Sequence, residues 1–202
     1  GNQYLMYAKY AGGAWGYQTL YDDGAVGSYA SIALDSSDDV HISYLNSTAG
    51  DLNYATNAGG TWQNYTIDSA GVAGAFSSIA VDSNDHVHIS YYDGSTMSLN
   101  YANNSGGSWV VQDQVDGWFG VDRGKYTSIA VDAFNNVHIS YYSDIADDLM
   151  YATNAGGSWT KLTLDSGGIG GDVGKVGHEV QLAKLADGLG RLLRLLPARR
   201  GA

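Results

Sequence analysis

Residues 78–91 read SIAVDSNDHVHISY, and residues 99–109 read LNYANNSGGSW. Apolar and β-branched residues come in short runs, broken by clusters of Ser, Asn, Asp and Gly. That pattern predicts four short strands, Ser78–Asp82, Val87–Tyr92, Leu99–Ala102 and Trp109–Val115. The first two flank the polar turn Ser83-Asn84-Asp85. Asn and Asp suit such a turn because their side chains cap nearby amides and tolerate unusual φ. The last two flank Asn103–Gly107, where paired glycines supply positive φ.

The same wording recurs on both sides. SIALDSSDDVHISY begins at Ser31 and SIAVDAFNNVHISY at Ser128, which puts His41, His88 and His138 in one register. LMYAKYAGGAW, LNYATNAGGTW and LMYATNAGGSW end at Trp15, Trp62 and Trp159; with Trp109 the tryptophan spacings are 47, 47 and 50. Four strands in a unit of 47–50 residues, repeated without a helical period, predict an all-β chain of about 3.5 β-propeller blades. A stacked solenoid is the rival, but its repeats are usually shorter. The expected division is a half-blade at 4–21, blades at 28–68, 76–115 and 127–165, and a tail at 172–202. The repeated Ile, Val, Ala, Tyr and Trp then pack blade against blade, which no single blade can do alone.

The tryptophan phrase resembles the Asp-box of sialidase-like (BNR-type) propellers, roughly Ser-x-Asp-x-Gly-x-Thr-Trp. Its best copy is Ala55-Thr56-Asn57-Ala58-Gly59-Gly60-Thr61-Trp62: Gly59, Thr61 and Trp62 match, while Ala55 and Asn57 replace Ser and Asp. The whole unit is also similar to repeats of secreted bacterial proteins, over roughly residues 4–170. The resemblance implies propeller blades, an extracellular or cell-surface place, and a box in the turn between third and fourth strands. It implies little about function, since propellers host many.

The chain opens mid-blade and leaves the pattern after Lys175. A closed ring takes about four to eight blades, so the expectation is a homo-oligomer or a part of a longer chain. No signal peptide is visible at Gly1-Asn2-Gln3. The tail differs in composition, with Lys175, Lys184, Arg191, Arg194, Arg199 and Arg200 in it. Leu182, Leu185, Ala186, Leu189, Leu192, Leu193 and Leu196 fall on a helical ladder that stops at Pro197, so a short amphipathic helix is expected. It would cover an open blade edge; a dimerising helix, a membrane-surface anchor, a hairpin turning at Asp187-Gly188 and a non-native ending are the alternatives.

Composition narrows the function classes. Of 202 residues 44% are hydrophobic and 15% charged, a globular balance. The net charge of −11 argues against nucleic acid, whose phosphates need a basic surface. The absence of cysteine excludes disulfides and thiolate metal sites. No apolar stretch is long enough to span a bilayer, so no membrane partner is expected.

A sialidase-type glycosidase needs a Tyr nucleophile with an acidic partner, and other glycosidases need two placed carboxyls; the resemblance adds an arginine triad. The blades hold one arginine, Arg123, and the only Glu, Glu179, lies in the tail. No catalytic residue is therefore assigned, and the pairs Asp22-Asp23, Asp38-Asp39 and Asp147-Asp148 read as turn caps. His41, His88 and His138 occupy one place in successive blades, which favours a packing and hydrogen-bond element over a metal ring. Asp35, Asp82 and Asp132 precede oxygen-rich turns that could take Ca²⁺, but EF-hand spacing is absent and hairpin turns are preferred. No cofactor or metal is expected.

The copies differ most where one blade leads to the next. Two links read YDDGAVG from Tyr21 and DSAGVAG from Asp68; the third, Asp116–Lys125, is longer and reads DGWFGVDRGK. Trp118 and Phe119 beside Asp122 and Arg123, with Tyr92 and Tyr142 from second strands, form the candidate ligand site for carbohydrate or protein. The rival reading is that Trp118 fills a gap between blades.

Overall fold

The chain's computed structural model describes residues 3–118 and 120–166. These form 14 strands and, among the described residues, no helix. Strands β1 (Leu5–Ala11) and β2 (Ala14–Tyr21) make a hairpin. Three four-stranded antiparallel meanders follow. They are β3 (Val26–Leu34), β4 (Val40–Asn46), β5 (Asp51–Thr56) and β6 (Gln63–Asp68); then β7 (Ala73–Val81), β8 (Val87–Asp93), β9 (Ser98–Asn103) and β10 (Val110–Gly117); then β11 (Arg123–Val131), β12 (Val137–Ser143), β13 (Asp148–Thr153) and β14 (Thr160–Ser166). Each sheet runs in chain order, as in a propeller blade. The expected C-terminal helix lies outside the described residues.

Three apolar clusters sit between sheets, not within them. Leu52 and Tyr54 of one blade meet Ala73, Ile79, Val87, Ile89 and Tyr91 of the next. Leu99, Tyr101 and Val115 likewise meet Ile129, Val137, Ile139 and Tyr141. The hairpin's Leu5 packs with Val26, Val40, Ile42 and Tyr44. Three of the four repeated tryptophans span such a seam, while Trp15 lies on Tyr10 of its own hairpin at 5.5 Å. Trp62 lies on Tyr7 at 5.3 Å between ring centroids, Trp109 on Tyr54 at 5.1 Å and Trp159 on Tyr101 at 5.2 Å.

The blades start earlier than the sequence reading placed them. Pairing opens at Val26↔Asn46, Ala73↔Asp93 and Arg123↔Ser143, ahead of residues 28, 76 and 127. The reason is a pair of register shifts near the start of each first strand, which keep pairing going through residues that cannot lie flat. Gly27, Gly74 and Gly124 have φ of 91°, 100° and 111°, and each crosses the previous unit's third strand at Leu5, Leu52 or Leu99. A Cβ on Gly124 would stand 2.5 Å from the Leu99 nitrogen. The last blade-to-blade link therefore shortens to residues 118–122, and Arg123 and Lys125 belong to β11.

Candidate functional site

The turns sort onto two ends of the blades. First-to-second and third-to-fourth turns share one end; second-to-third turns and the links share the other, where Gly94 donates to the Val72 carbonyl at 2.9 Å and Asp144 to that of Asp122 at 3.0 Å.

The first end is built from one repeated network. His41, His88 and His138 place Nδ1 at 2.5, 2.6 and 2.5 Å from the hydroxyls of Tyr54, Tyr101 and Tyr151. Their Nε2 atoms lie 3.2, 3.3 and 3.2 Å from Asp35, Asp82 and Asp132. A neutral ring satisfies both contacts: the tyrosine O–H donates to Nδ1, and Nε2–H donates to the carboxylate. Burial holds His88 below its ordinary pKa, against the raising pull of Asp82, and pushes Tyr54 up to about 12. Each aspartate's other oxygen accepts two turn amides, those of residues 37 and 39, 84 and 86, or 134 and 136. Asn57, Asn104 and Asn154 accept the amides of Val40, Val87 and Val137 at 2.6–2.7 Å, tying the two turns of each blade together. Among the described residues no group of three or more His or Asp side chains is arranged to hold a metal.

The link end carries the candidate ligand residues, and the structure joins only some of them. Tyr92 donates to Asp122 at 2.8 Å, and Lys125 Nζ lies 2.7 Å from Asp122 and 2.9 Å from Asp144. The same ammonium stands 5.6 Å from the centre of the Tyr92 ring. Burial lowers the lysine's pKa, but the two carboxylates outweigh it and raise it overall. Burial, followed by the bond to Asp122, raises Tyr92. Arg123 turns to the buried Asp116, with Nη1 at 3.3 and 3.2 Å from its two oxygens. Asp116 also accepts from Tyr141 at 2.5 Å, as Asp68 does from Tyr91 at 2.6 Å. Arg123 thus neutralises a structural carboxylate. Tyr142 donates to Asp147. Trp118 is 57% exposed, on a turn closed by a 2.7 Å bond from the Val121 amide to its carbonyl. Among the described residues it joins none of the three clusters between the sheets. Phe119 lies outside the described residues.

The sequence reading missed Lys125, Asp144 and a ladder of rings. Tyr29, Phe76 and Tyr126 stack from blade to blade at 4.6 and 4.5 Å, with φ of 53°, 55° and 53°. Bulky residues rarely adopt this left-handed backbone. Phe76 lies 6.2 Å from Tyr92 and Tyr126 lies 6.1 Å from Tyr142, so the ladder links the two second-strand tyrosines of the candidate site. The signal was there: an aromatic recurs two residues after Gly27, Gly74 and Gly124.

No family model matches the chain, and no curated protein matches its sequence. Among solved structures, a Dyadobacter fermentans protein of unknown function has a TM-score of 0.55 at 12% identity, over 79% of this chain and 58% of that one. The Aleuria aurantia lectin, solved with Fucα1-6GlcNAc, has a TM-score of 0.53 at 20% identity, over 78% and 53%. A Kordia zhangzhouensis fucose lectin, solved with methyl-fucoside, has a TM-score of 0.47 at 18% identity, over 66% and 96%. The chain thus matches little more than half of the first two, and the likeness is one of propeller-type fold.

Proposed function

We propose that the chain is a non-catalytic carbohydrate-binding module that engages sugar at the link end, between the blades β7–β10 and β11–β14. The observation that carries this is Trp118, an indole more than half exposed on a turn held by its own backbone bonds. Such a face stacks on the apolar side of a pyranose, and the neighbouring Asp122, Lys125 and Asp144 offer polar partners for hydroxyls. The shared fold with the Aleuria aurantia lectin, a protein solved with a fucosylated disaccharide, supports the class of ligand. A secreted or cell-surface setting, degenerate Asp-box ancestry and independence of cofactors belong to the same proposal. The test is titration of the full chain with methyl-fucoside and a panel of other methyl glycosides. Saturable binding that Trp118→Ala weakens about tenfold or more is expected; a panel without any binder, or a variant that binds as tightly as the parent, sinks the reading.

A second reading, assembly of copies into a larger propeller, is favoured by the exposed side of β3, where Ile32 and Leu34 meet solvent. Light scattering over a dilution series measures it; a mass that stays at one chain at every concentration rejects it.

A further inference from the structure

The two complete blade seams and the one incomplete seam show what is missing from the third. Ile79 and Ile129, in β7 and β11, are 6% and 8% exposed; their equivalent in β3, Ile32, is 57% exposed. The covered pair owe their burial to the first strand of the preceding blade, whose Ala33 or Ala80 joins the cluster. Ile32 faces a groove of about 900 Å³ lined by Tyr7, Lys9, Tyr10, Leu34 and Asp38 among others.

Polar groups in the groove repeat the fittings of a closed seam. Asp85 accepts from the Ser36 amide and hydroxyl of the preceding blade at 2.8 and 2.7 Å, and Asn135 from those of Ser83 at 3.2 and 2.9 Å. Asp38 stands at the same position with the same φ, 64° against 63° and 62°, yet no described residue bonds its carboxylate. The Ile79 and Ile129 amides donate to Ser31 and Ser78 of the preceding blade at 3.3 and 3.2 Å. Tyr7 is the counterpart of Tyr54, Tyr101 and Tyr151, and no described histidine bonds its hydroxyl. Finally, β1 pairs with β2 alone, and no other described strand lies along its second edge.

We infer that this groove is an acceptor for a β-hairpin of the chain's own first-and-second-strand pattern, Ser-Ile-Ala-x-Asp followed by Val-His-Ile-Ser-Tyr, supplied by another polypeptide segment. The second strand adds antiparallel to the free edge of β1. The register of β4 on β5 and β8 on β9 sets its histidine opposite Lys9. That histidine meets Tyr7, the hairpin's first strand covers Ile32, and its turn serine meets Asp38. This occupant differs from a second copy of the chain, whose own first and second strands β3–β4, β7–β8 and β11–β12 are already paired within its blades.

The probe is a peptide of residues 73–93, which carries the whole β7–β8 hairpin, added to the full chain. Expected are one-to-one saturable binding and new amide-exchange protection at residues 4–11 and 32–38. Ile32→Asp and Asp38→Ala should each weaken binding, the former about tenfold or more. Because a free hairpin can fail to fold, a second form joins residues 73–97 directly ahead of Tyr4. It should show the same protection and one more histidine ring signal shifted by a tyrosine hydroxyl, which Tyr7→Phe removes. A scrambled peptide that protects equally overturns the inference. So does a fusion that leaves β1 unprotected, or a chain that protects the groove by pairing with its own copy.

Discussion

The two ends of the blades are built to different rules. At the turn end every blade repeats one network: Asp, His and Tyr in a row, with Asn closing the second turn. At the link end the blades share a glycine and a ring, and two share an aspartate that accepts from a buried tyrosine, but the residues of the links themselves diverge. One link holds Trp118 and leads to Arg123 and Lys125; its counterparts hold neither a tryptophan nor a basic residue. Repetition marks what every seam needs in order to close. Departure from repetition marks what one seam alone does, and the candidate site lies there.

The hardest break to that contrast is Gly124→Ala. The residue is at the link end but belongs to the repeated set, so the effect should be structural. A Cβ would meet Leu99 backbone at 2.5–2.6 Å, and φ is already +111°. Neither atom belongs to a side chain that could swing aside, so a loss of about 3 kcal/mol or more is expected, read as lost cooperative unfolding in urea. Gly120→Ala is the matched control. Its φ is +86° with nothing within 4 Å, so only the backbone strain of about 1–2 kcal/mol applies.

Next in size is His88→Ala. It leaves the buried Tyr101 hydroxyl without an acceptor and Asp82 without one of its donors. Each unsatisfied buried group costs about 1–3 kcal/mol, so a loss of about 2–3 kcal/mol is expected by chemical denaturation. Tyr101→Phe should cost less, because Asp82 keeps its donor. If both variants unfold like the parent, the network is ornament and the contrast between the two ends collapses.

Acid should weaken the same network in steps. His88 is held below its unfolded value of 6.5, so the unfolded chain takes up the proton first, and stability present above pH 6.5 falls as pH drops through that value. Asp132 follows at lower pH. Desolvation would raise it, but hydrogen bonds from Asn136, His138 and the Phe134 amide outweigh that and hold it at about 2. Its contribution, complete above pH 3.8, is lost between 3.8 and about 2. Lys125 carries the opposite sign: its pKa is raised, so its contribution is present below 10.5 and is lost only as pH rises through the folded value. Melting temperatures across pH 2–9 should decline on the acid flank, and His88→Ala should remove the step near 6.5.

Much of this is legible in the sequence alone. Period-two apolar runs, glycine turns and a 47-residue repeat lead to blades because each strand's face is set by local alternation. The three histidines read as a repeated bonding element, and their partners bear that out. The blade starts were not legible, because a bulge hides where pairing resumes: Gly27-Ser28-Tyr29 looks like a link yet stays in the ladder. Arg123 and Trp118 looked like one site because they are five residues apart. The fold sends the guanidinium inward to Asp116 and leaves the indole outside, a choice made by burial across a seam that no local pattern encodes.

The smallest expected change in stability is the most informative about function. Trp118 donates its backbone amide to Val121 and accepts from it, and Trp118→Ala keeps both bonds. Its side chain is exposed and forms no ring contact with the described residues, whereas Trp62, Trp109 and Trp159 each lie across a seam. Removing it should therefore shift unfolding by no more than about 0.5 kcal/mol, the range of surface substitutions. Trp109→Ala strips a ring from the edge of Tyr54 and should cost about 3 kcal/mol or more. A shift that small would leave the proposed sugar contact as the reading of this exposed indole. A large loss of stability in Trp118→Ala would instead give it a packing partner, and the link end would then be as structural as the turn end.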